Sequence, residues 1–274
     1  MHNGSKNISA KNDRTQTLLV TTSWDDGHPS DLRLADLMEK HRLHGTFYVP
    51  CRNSEGKPVM DAAQIVSLGR RFEIGGHTQN HVDLTALTPA SAAAEIRSNK
   101  ARLEDLLGRE VCGFAYVRGR HNRLVRDLVD QAGFRYARTI RNLMDAPGGD
   151  RLQVPTTAQF FPHVASTYLR NYASGGPTLK RTAVLAAILG EGELAARVAK
   201  AASACASAGG FFHLWGHSWE LDQNDLWGEL DRAFARLTEL GARFVSNAAW
   251  CASLVASAQA QEQRARDVRS ETPA

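Results

Sequence analysis

Two histidines four residues apart are the first group in this chain that suggests chemistry. His77 and His81 lie in the segment Glu-Ile-Gly-Gly-His-Thr-Gln-Asn-His, residues 73–81. At that spacing, two imidazoles can lie on one face of a helical turn and bind one metal ion. A carboxylate from elsewhere in the chain would complete a two-histidine, one-aspartate site with positions left open for water and substrate.

Two adjacent carboxylates near the N-terminus can supply that ligand. Asp25 and Asp26 stand in Ser-Trp-Asp-Asp-Gly, residues 23–27, directly after an apolar run that predicts a buried strand. Adjacent carboxylates repel each other unless a positive charge lies nearby. One aspartate can therefore bind the ion while its neighbour acts as general base on water. The structural alternative is an Asp-Asp-Gly turn, or an N-cap for a helix that starts at Asp31.

A third element, residues 209–220, supplies a candidate general acid. In Gly-Gly-Phe-Phe-His-Leu-Trp-Gly-His-Ser-Trp-Glu, the side chains of His213, Trp215 and His217 share one face if the strand persists. A histidine at the carboxyl end of that strand is placed to protonate a leaving group. The usual length of a strand favours His217 over His213. Trp215 and Trp219 are candidates for an apolar wall or a sugar-stacking platform, with core packing as the alternative.

Alternating apolar strands and amphipathic helices must position these elements. The segment 141–182 carries Pro and Gly residues and is predicted to be irregular. Repeated β-then-α units predict an α/β fold in which a parallel sheet of about seven strands winds into a barrel. Such a barrel places its chemistry on the loops after the carboxyl ends of the strands. The predicted strands are 18–23, 45–49, 72–75, 113–117, 136–139, 210–215 and 243–246, and the predicted helices are 31–41, 61–71, 89–107, 122–132, 183–208 (with a break near 190–192) and 225–239.

Length and composition limit the classes of function. The chain has 274 residues, 43% of them hydrophobic, which suits a single barrel domain over residues 17–256, with a flexible segment at 1–16 and a disordered tail at 257–274. A net charge of +4 is too small and too scattered to indicate nucleic-acid binding. No apolar run can span a membrane and no signal peptide is seen, so we expect a cytoplasmic protein. Four widely spaced cysteines predict buried free thiols.

Together, the three elements resemble the polysaccharide deacetylase family, the NodB-homology or carbohydrate esterase family 4 group. The family's first motif, Thr-Phe-Asp-Asp-Gly, is similar to residues 23–27, and its second, His-(Ser/Thr)-x-x-His, is intact at residues 77–81. The resemblance covers about residues 18–250. It implies a distorted (β/α)7 barrel that removes an N-acetyl group from an acetylated sugar or oligosaccharide. The implied ion is zinc or a similar divalent metal; cobalt, nickel or iron would fit the same donors.

The resemblance also implies roles for single residues. Asp25 would be the catalytic base that acts on a metal-activated water, and Thr78 would brace the metal-binding loop by hydrogen bonding. Of the two candidate acids, His217 is favoured and His213 is the second choice. The implied metal ligands are Asp26, His77 and His81. The candidate substrate or oxyanion residues are His28, Arg118, Arg120, Trp215 and Trp219.

Two family motifs are altered. The third, Arg-x-Pro-x-Gly, corresponds to residues 115–119, where Ala115 takes the place of the arginine that orients the catalytic aspartate. Arg118 and Arg120 are candidates to replace the lost charge. The fourth, an Asp-and-Trp element, has no match in residues 150–182. These departures leave two alternatives open: a hydrolase of the same fold that acts on a non-sugar amide, such as a cyclic ureide in the allantoinase-like branch, and a metal- or sugar-binding relative without activity. The sequence predicts no oligomeric state.

Overall fold

Eight parallel strands form one curled sheet. The computed structural model describes residues 18–146, 148–206 and 210–253. The strands pair in the order β5-β4-β3-β2-β1-β7-β6, while β8 pairs with the first half of β1. This topology confirms the predicted distorted (β/α)7 barrel, to which β8 adds a short strand. The strands are β1 (Leu19–Asp25), β2 (Thr46–Val49), β3 (Glu73–Gly76), β4 (Gly113–Ala115), β5 (Tyr136–Arg138), β6 (Ala158–Gln159), β7 (Phe211–Gly216) and β8 (Arg243–Val245).

Nine helices lie wholly within the described ranges, and residues 247–253 are also helical. Several of the nine begin at a residue that caps the helix. Thr88 caps α3 by accepting a hydrogen bond from the Ser91 amide, and Pro89 occupies the first helical position. Asp61 and Gln64 form a capping box at the start of α2. The helices are α1 (Asp31–Lys40), α2 (Ala62–Gly69), α3 (Pro89–Leu107), α4 (Arg123–Gln131), α5 (Ala165–Ser174), α6 (Leu179–Leu189), α7 (Leu194–Ala206), α8 (Ser218–Gln223) and α9 (Trp227–Glu239).

The segment 141–182 is more regular than the sequence predicts. It contains β6, the whole of α5 and the start of α6. The strand β6 has only two residues, and Tyr168 is the one buried residue of α5, so neither element leaves a clear periodic pattern. The predicted break near 190–192 is confirmed, because α6 ends at Leu189 and α7 starts at Leu194.

The inside of the barrel is partly polar. A small cluster that includes Tyr48, Ala115 and Tyr136 occupies it. The Tyr136 hydroxyl donates to Glu73 at 2.6 Å and lies 3.2 Å from the Tyr48 hydroxyl. On the other side of the sheet, Trp24 packs edge-on against Phe234 of α9, with ring centroids 6.4 Å apart. Strands buried on both faces are expected where helices cover a parallel sheet.

Several predictions concern the ends of the chain and its cysteines. The segments 1–16 and 257–274 lie outside the described residues, and the domain limits of 17–256 stay a prediction. Within the described ranges, no helix combines the length and apolar character needed to cross a bilayer. All four cysteines are free; Cys205 and Cys251 are buried, whereas Cys51 and Cys112 are half-buried.

Candidate active site

The predicted acidic and histidine elements meet at the carboxyl edge of the sheet. Asp25 is the last residue of β1, and Asp26 follows it in a left-handed conformation with φ of 79°. Gly27 is also left-handed, and a Cβ there would lie 2.8 Å from the Val49 side chain, so the turn requires glycine. β1 and β3 are parallel and only β2 lies between them, so their carboxyl ends lie at the same edge of the sheet. The turn after β1 directs Asp26 toward the loop that follows β3 and carries His77.

Asp26, His77 and His81 form a compact buried cluster. One ligand atom from each residue lies within 4.8 Å of the others. The Nε2 atoms of His77 and His81 are 3.6 and 3.0 Å from Oδ1 of Asp26. These three residues therefore present two imidazole nitrogens and one carboxylate oxygen to a common point.

The two histidines lie on a loop and not on a helical turn. Thr78 and His81 both adopt left-handed conformations, with φ of 65° and 54°, so residues 77–81 form a loop. The Thr78 hydroxyl accepts a hydrogen bond from the Val82 amide at 3.2 Å. That contact links the two ends of the loop.

The chemistry of this cluster fits a divalent cation. Nδ1 of His77 lies 2.8 Å from the Ala115 carbonyl oxygen, which makes Nδ1 the donor and directs the Nε2 lone pair toward Asp26. Oδ1 of Asp26 is buried and forms no hydrogen bond. Burial would raise the pKa of Asp26, but the adjacent His77 and His81 side chains hold this pKa well below its usual range. Such a donor set suits zinc and related transition metals.

The second oxygen of Asp26 is held by the pocket wall. Trp219 Nε1 donates to Oδ2 of Asp26 at 2.9 Å. The Lys57 ammonium lies 3.8 Å from the same oxygen and 3.5 Å from the centre of the Trp219 ring. These contacts leave Oδ1 as the oxygen that faces the imidazoles.

Arg138 holds the neighbouring carboxylate, Asp25. Its Nη2 donates to Oδ1 of Asp25. The guanidinium is fully buried between the rings of Tyr48 and Trp215, 5.2 and 5.0 Å from their centres. In the ladder between β4 and β5, Arg138 pairs with Ala115, so it stands one strand away from the altered motif at the same height.

The two arginines proposed for the lost charge have other partners. Arg118 pairs with Glu55 at 2.7 Å, and Arg120 pairs with Asp83 at 2.7 Å. Sequence reasoning missed Arg138, although its place at the end of a predicted strand was a usable signal.

The structure separates the two candidate acids. His213 is fully buried, with Nε2 2.8 Å from the Ser23 hydroxyl and Nδ1 3.1 Å from the Pro155 carbonyl oxygen. Burial, joined by the charge of Arg138, lowers the pKa of His213 to about 3. A histidine that is neutral and fully hydrogen-bonded suits a structural role.

His217 lies in the pocket, directly after β7. Its Nδ1 is 2.8 Å from Oε2 of Glu220, on the first turn of α8. Burial opposes protonation, but the hydrogen bond to Glu220 and the negative charge of Asp26 outweigh it and raise the pKa of His217. The sequence analysis did not identify Glu220. Its position three residues after His217 could have indicated it, because residues at that spacing are neighbours on a helical turn.

These groups surround a cavity of about 270 Å³. Among the predicted substrate residues, Arg118, Trp215 and Trp219 line it, whereas His28 and Arg120 are not among its described lining residues. Nδ1 of His28 instead lies 3.0 Å from the Ser30 hydroxyl. The lining residues are Asp25, Asp26, Glu55, Lys57, His77, His81, Arg118, Ile140, Trp215, His217 and Trp219.

Comparison with solved structures supports the fold. A Mycobacterium smegmatis protein assigned to the polysaccharide deacetylases is 16% identical, with a TM-score of 0.63 over 90% of this chain and 93% of that one. The chitin deacetylase of the fungal pathogen Colletotrichum lindemuthianum is 17% identical, with a TM-score of 0.58 over 86% and 88% of the two chains. The alignment with Streptococcus pyogenes deacetylase PplD spans 49% of this chain and only 62% of that chain, at 18% identity; its TM-score of 0.46 supports no argument.

Sequence comparison finds one family that is similar to the first half of the chain. The search of curated protein sequences returned no match. The family model described as polysaccharide deacetylase matches residues 12–137, a range that includes both the Asp-Asp-Gly turn and the two histidines of the Asp26–His77–His81 cluster. This part of the chain is therefore similar to the polysaccharide deacetylase family, and the fold is similar to that of solved polysaccharide deacetylases.

Proposed function

We propose that this protein is a metal-dependent hydrolase that removes the N-acetyl group from an acetylated sugar or oligosaccharide. One observation carries the proposal: Asp25, the Asp26–His77–His81 cluster and His217 all line the same cavity. A base, an ion site and an acid on one cavity are the groups that amide hydrolysis requires.

The ion would be held by Asp26, His77 and His81. Zinc suits these ligands best, and cobalt, nickel or iron are the alternatives. When bound, such an ion supplies Lewis-acid chemistry that polarises an amide carbonyl and favours deprotonation of water. Trp219 supports the site, because its hydrogen bond to Oδ2 of Asp26 fixes the plane of the carboxylate.

Asp25 would act as the general base. Arg138 binds its Oδ1, which leaves Oδ2 to take the proton from the attacking water. The buried guanidinium fixes the carboxylate in one orientation, because the rings of Tyr48 and Trp215 hold it on both sides. Correct orientation of a base is worth several orders of magnitude in rate.

His217 would act as the general acid. Its raised pKa favours the imidazolium form, which can give its proton to the departing amine nitrogen. Glu220 accepts from Nδ1, so Nε2 is the nitrogen that delivers the proton. The products are acetate and the free amine, and the two proton transfers balance the water consumed. Trp215 and Trp219 would provide apolar walls for a sugar ring.

Acetate release tests the proposal. Purified protein supplied with zinc is incubated with N-acetylglucosamine oligomers and, separately, with a small cyclic ureide. We expect acetate from the acetylated sugars, and at least a 100-fold slower rate for Asp25→Asn. Ring opening of the ureide without acetate release would favour the non-sugar amide. Stoichiometric binding of metal and sugar without turnover of either substrate would make the protein an inactive relative.

A further inference from the structure

A chain of hydrogen bonds runs outward from His217. Glu220 Oε2 accepts from Nδ1 of His217 at 2.8 Å and from Nε2 of Gln159 at 3.2 Å. The other end of the same amide, Oε1 of Gln159, lies 2.7 Å from Nε2 of His163. Gln159 belongs to β6, which pairs directly with β7, and His163 lies in the turn before α5.

Only one orientation of the Gln159 amide satisfies both neighbours. Glu220 carries a carboxylate that accepts hydrogen bonds, so the NH₂ group must point toward it. The carbonyl oxygen then points at His163, which must donate from Nε2. A flipped amide would place its oxygen against the carboxylate, and two acceptors would face each other in a buried site. Gln159 and Glu220 are both more than nine-tenths buried.

Packing holds His163 in place as a neutral donor. Its ring contacts those of Phe161 and Tyr168, with centroids 4.8 and 5.7 Å away. Burial lowers the pKa of His163, and Glu220 is the charged group that opposes this effect. The charged groups that act on His217 are Glu220, Asp26 and Asp25.

We propose that Gln159 and His163 are positioning residues for the reaction: His163 locks the Gln159 amide, the amide holds Glu220, and Glu220 orients His217. The proposal rests on the role of general acid proposed for His217. It assigns a function to the 158–163 segment, in which sequence comparison with the family's fourth motif finds no match. The second donor to Glu220 comes from a neutral amide, so it leaves the negative charge available to His217.

Three variants test the proposal. His163→Phe fills the space but removes the donor. His163→Gln restores a donor near the Nε2 position and cannot carry a charge. Tyr168→Phe is the matched control, because it removes a hydrogen bond to the Phe161 carbonyl in the same segment and leaves the His163 contact intact. The first measurement is the NMR signal and pH titration of the His217 ring in substrate-free protein; the second is kcat and KM for acetate release.

We expect His163→Phe to shift the His217 titration to lower pH and to reduce kcat about 3- to 10-fold with little change in KM, the effect of one lost hydrogen bond. His163→Gln should recover most of both effects, and Tyr168→Phe should match the wild type. An unchanged His217 titration in His163→Phe would overturn the proposal, as would a His163→Gln protein that behaves like His163→Phe. Because the NMR titration needs no substrate, it separates this inference from the assignment of the substrate.

Discussion

The guanidinium of Arg138 reaches the carboxylate of Asp25 across the inside of the barrel. The two residues end strands β5 and β1, between which the sheet places three other strands. Curvature brings them together: a bridge between Arg138 and Val154 draws β5 toward the segment that leads into β6, so the two edges of the sheet approach each other. The orientation of Asp25 therefore depends on the closure of the barrel.

Loss of Arg138 should greatly reduce the proposed activity. In Arg138→Ala, the buried Asp25 loses its ion-pair partner, and breaking a buried pair in this way costs about 3–5 kcal/mol. We expect kcat to fall about 100-fold, together with a lower free energy of unfolding. Steady-state kinetics on protein shown to be folded by circular dichroism measures the first effect, and urea unfolding measures the second. Arg120→Ala, which removes an exposed ion pair, should change kcat by less than about 2-fold.

A relocated arginine should rescue part of the loss. Ala115 faces Arg138 in the β4–β5 ladder and lies in the same interior cluster as Tyr48. We therefore expect the double variant Ala115→Arg, Arg138→Ala to be about 10-fold more active than Arg138→Ala alone. A double variant no better than the single one would show that the position of the charge on β5 is essential.

Removal of any metal ligand should empty the ion site. We expect one divalent ion per wild-type chain by elemental analysis, and less than about a tenth of that in Asp26→Asn or His81→Ala, since each change removes one of three ligands. Chelation should abolish acetate release, and added zinc should restore it. His121→Gln is the control: His121 contacts Gly119 and Gln153 instead of the cluster, and the variant should retain its metal.

Glu220 should set the basic limb of the pH profile. The hydrogen bond and charge of Glu220 raise the pKa of His217, so the proposed acid holds its proton to higher pH. Removal of the Glu220 charge should lower this pKa, and activity should then be lost at a lower pH. In Glu220→Gln, we expect the basic limb of kcat/KM to move to lower pH. Asp222→Asn is the control, because Asp222 lies on the same helix but bonds Ser30 and Trp227 instead of His217. This variant should not change the pH of the basic limb. Equal shifts in both variants would contradict a specific role for Glu220.

His213 should make the fold sensitive to acid. Its folded-state pKa of about 3 lies below the ordinary value of 6.5, so between these values the unfolded chain binds a proton that the folded chain does not. The free energy of unfolding therefore falls as the pH falls from about 6.5 toward 3, by up to about 1.4 kcal/mol per unit.

Urea unfolding at pH 7 and pH 5 measures this contribution. His213→Gln should have a lower free energy of unfolding than wild type at pH 7. The decrease in this free energy from pH 7 to pH 5 should be about 2 kcal/mol smaller in His213→Gln than in wild type. Ser23→Ala removes the hydroxyl partner of His213 but keeps the imidazole, so it should retain the pH dependence. A His213→Gln protein with the pH dependence of the wild type would refute the assignment.

The sequence predicts the ion cluster better than it predicts its surroundings. Asp26 and the two histidines follow predicted strands, and neighbouring parallel strands end at one edge, so their meeting follows from local patterns. The contact between Arg138 and Asp25 joins residues 113 positions apart and depends on barrel curvature, which no local pattern encodes. The conformation between His77 and His81 is also not encoded by their spacing, because Thr78 and His81 are left-handed and the Thr78 hydroxyl bonds the Val82 amide.

The shared height of Ala115 and Arg138 on adjacent strands bears on how the activity of distant relatives is judged. The proposed chemistry needs a cation beside Asp25, and Arg138 on β5 supplies it although Ala115 on β4 cannot. Substitution of the expected residue therefore does not by itself mark a degenerate enzyme. For proteins as divergent as this one, the positions of charged side chains in the structure are a better criterion for activity than sequence motifs.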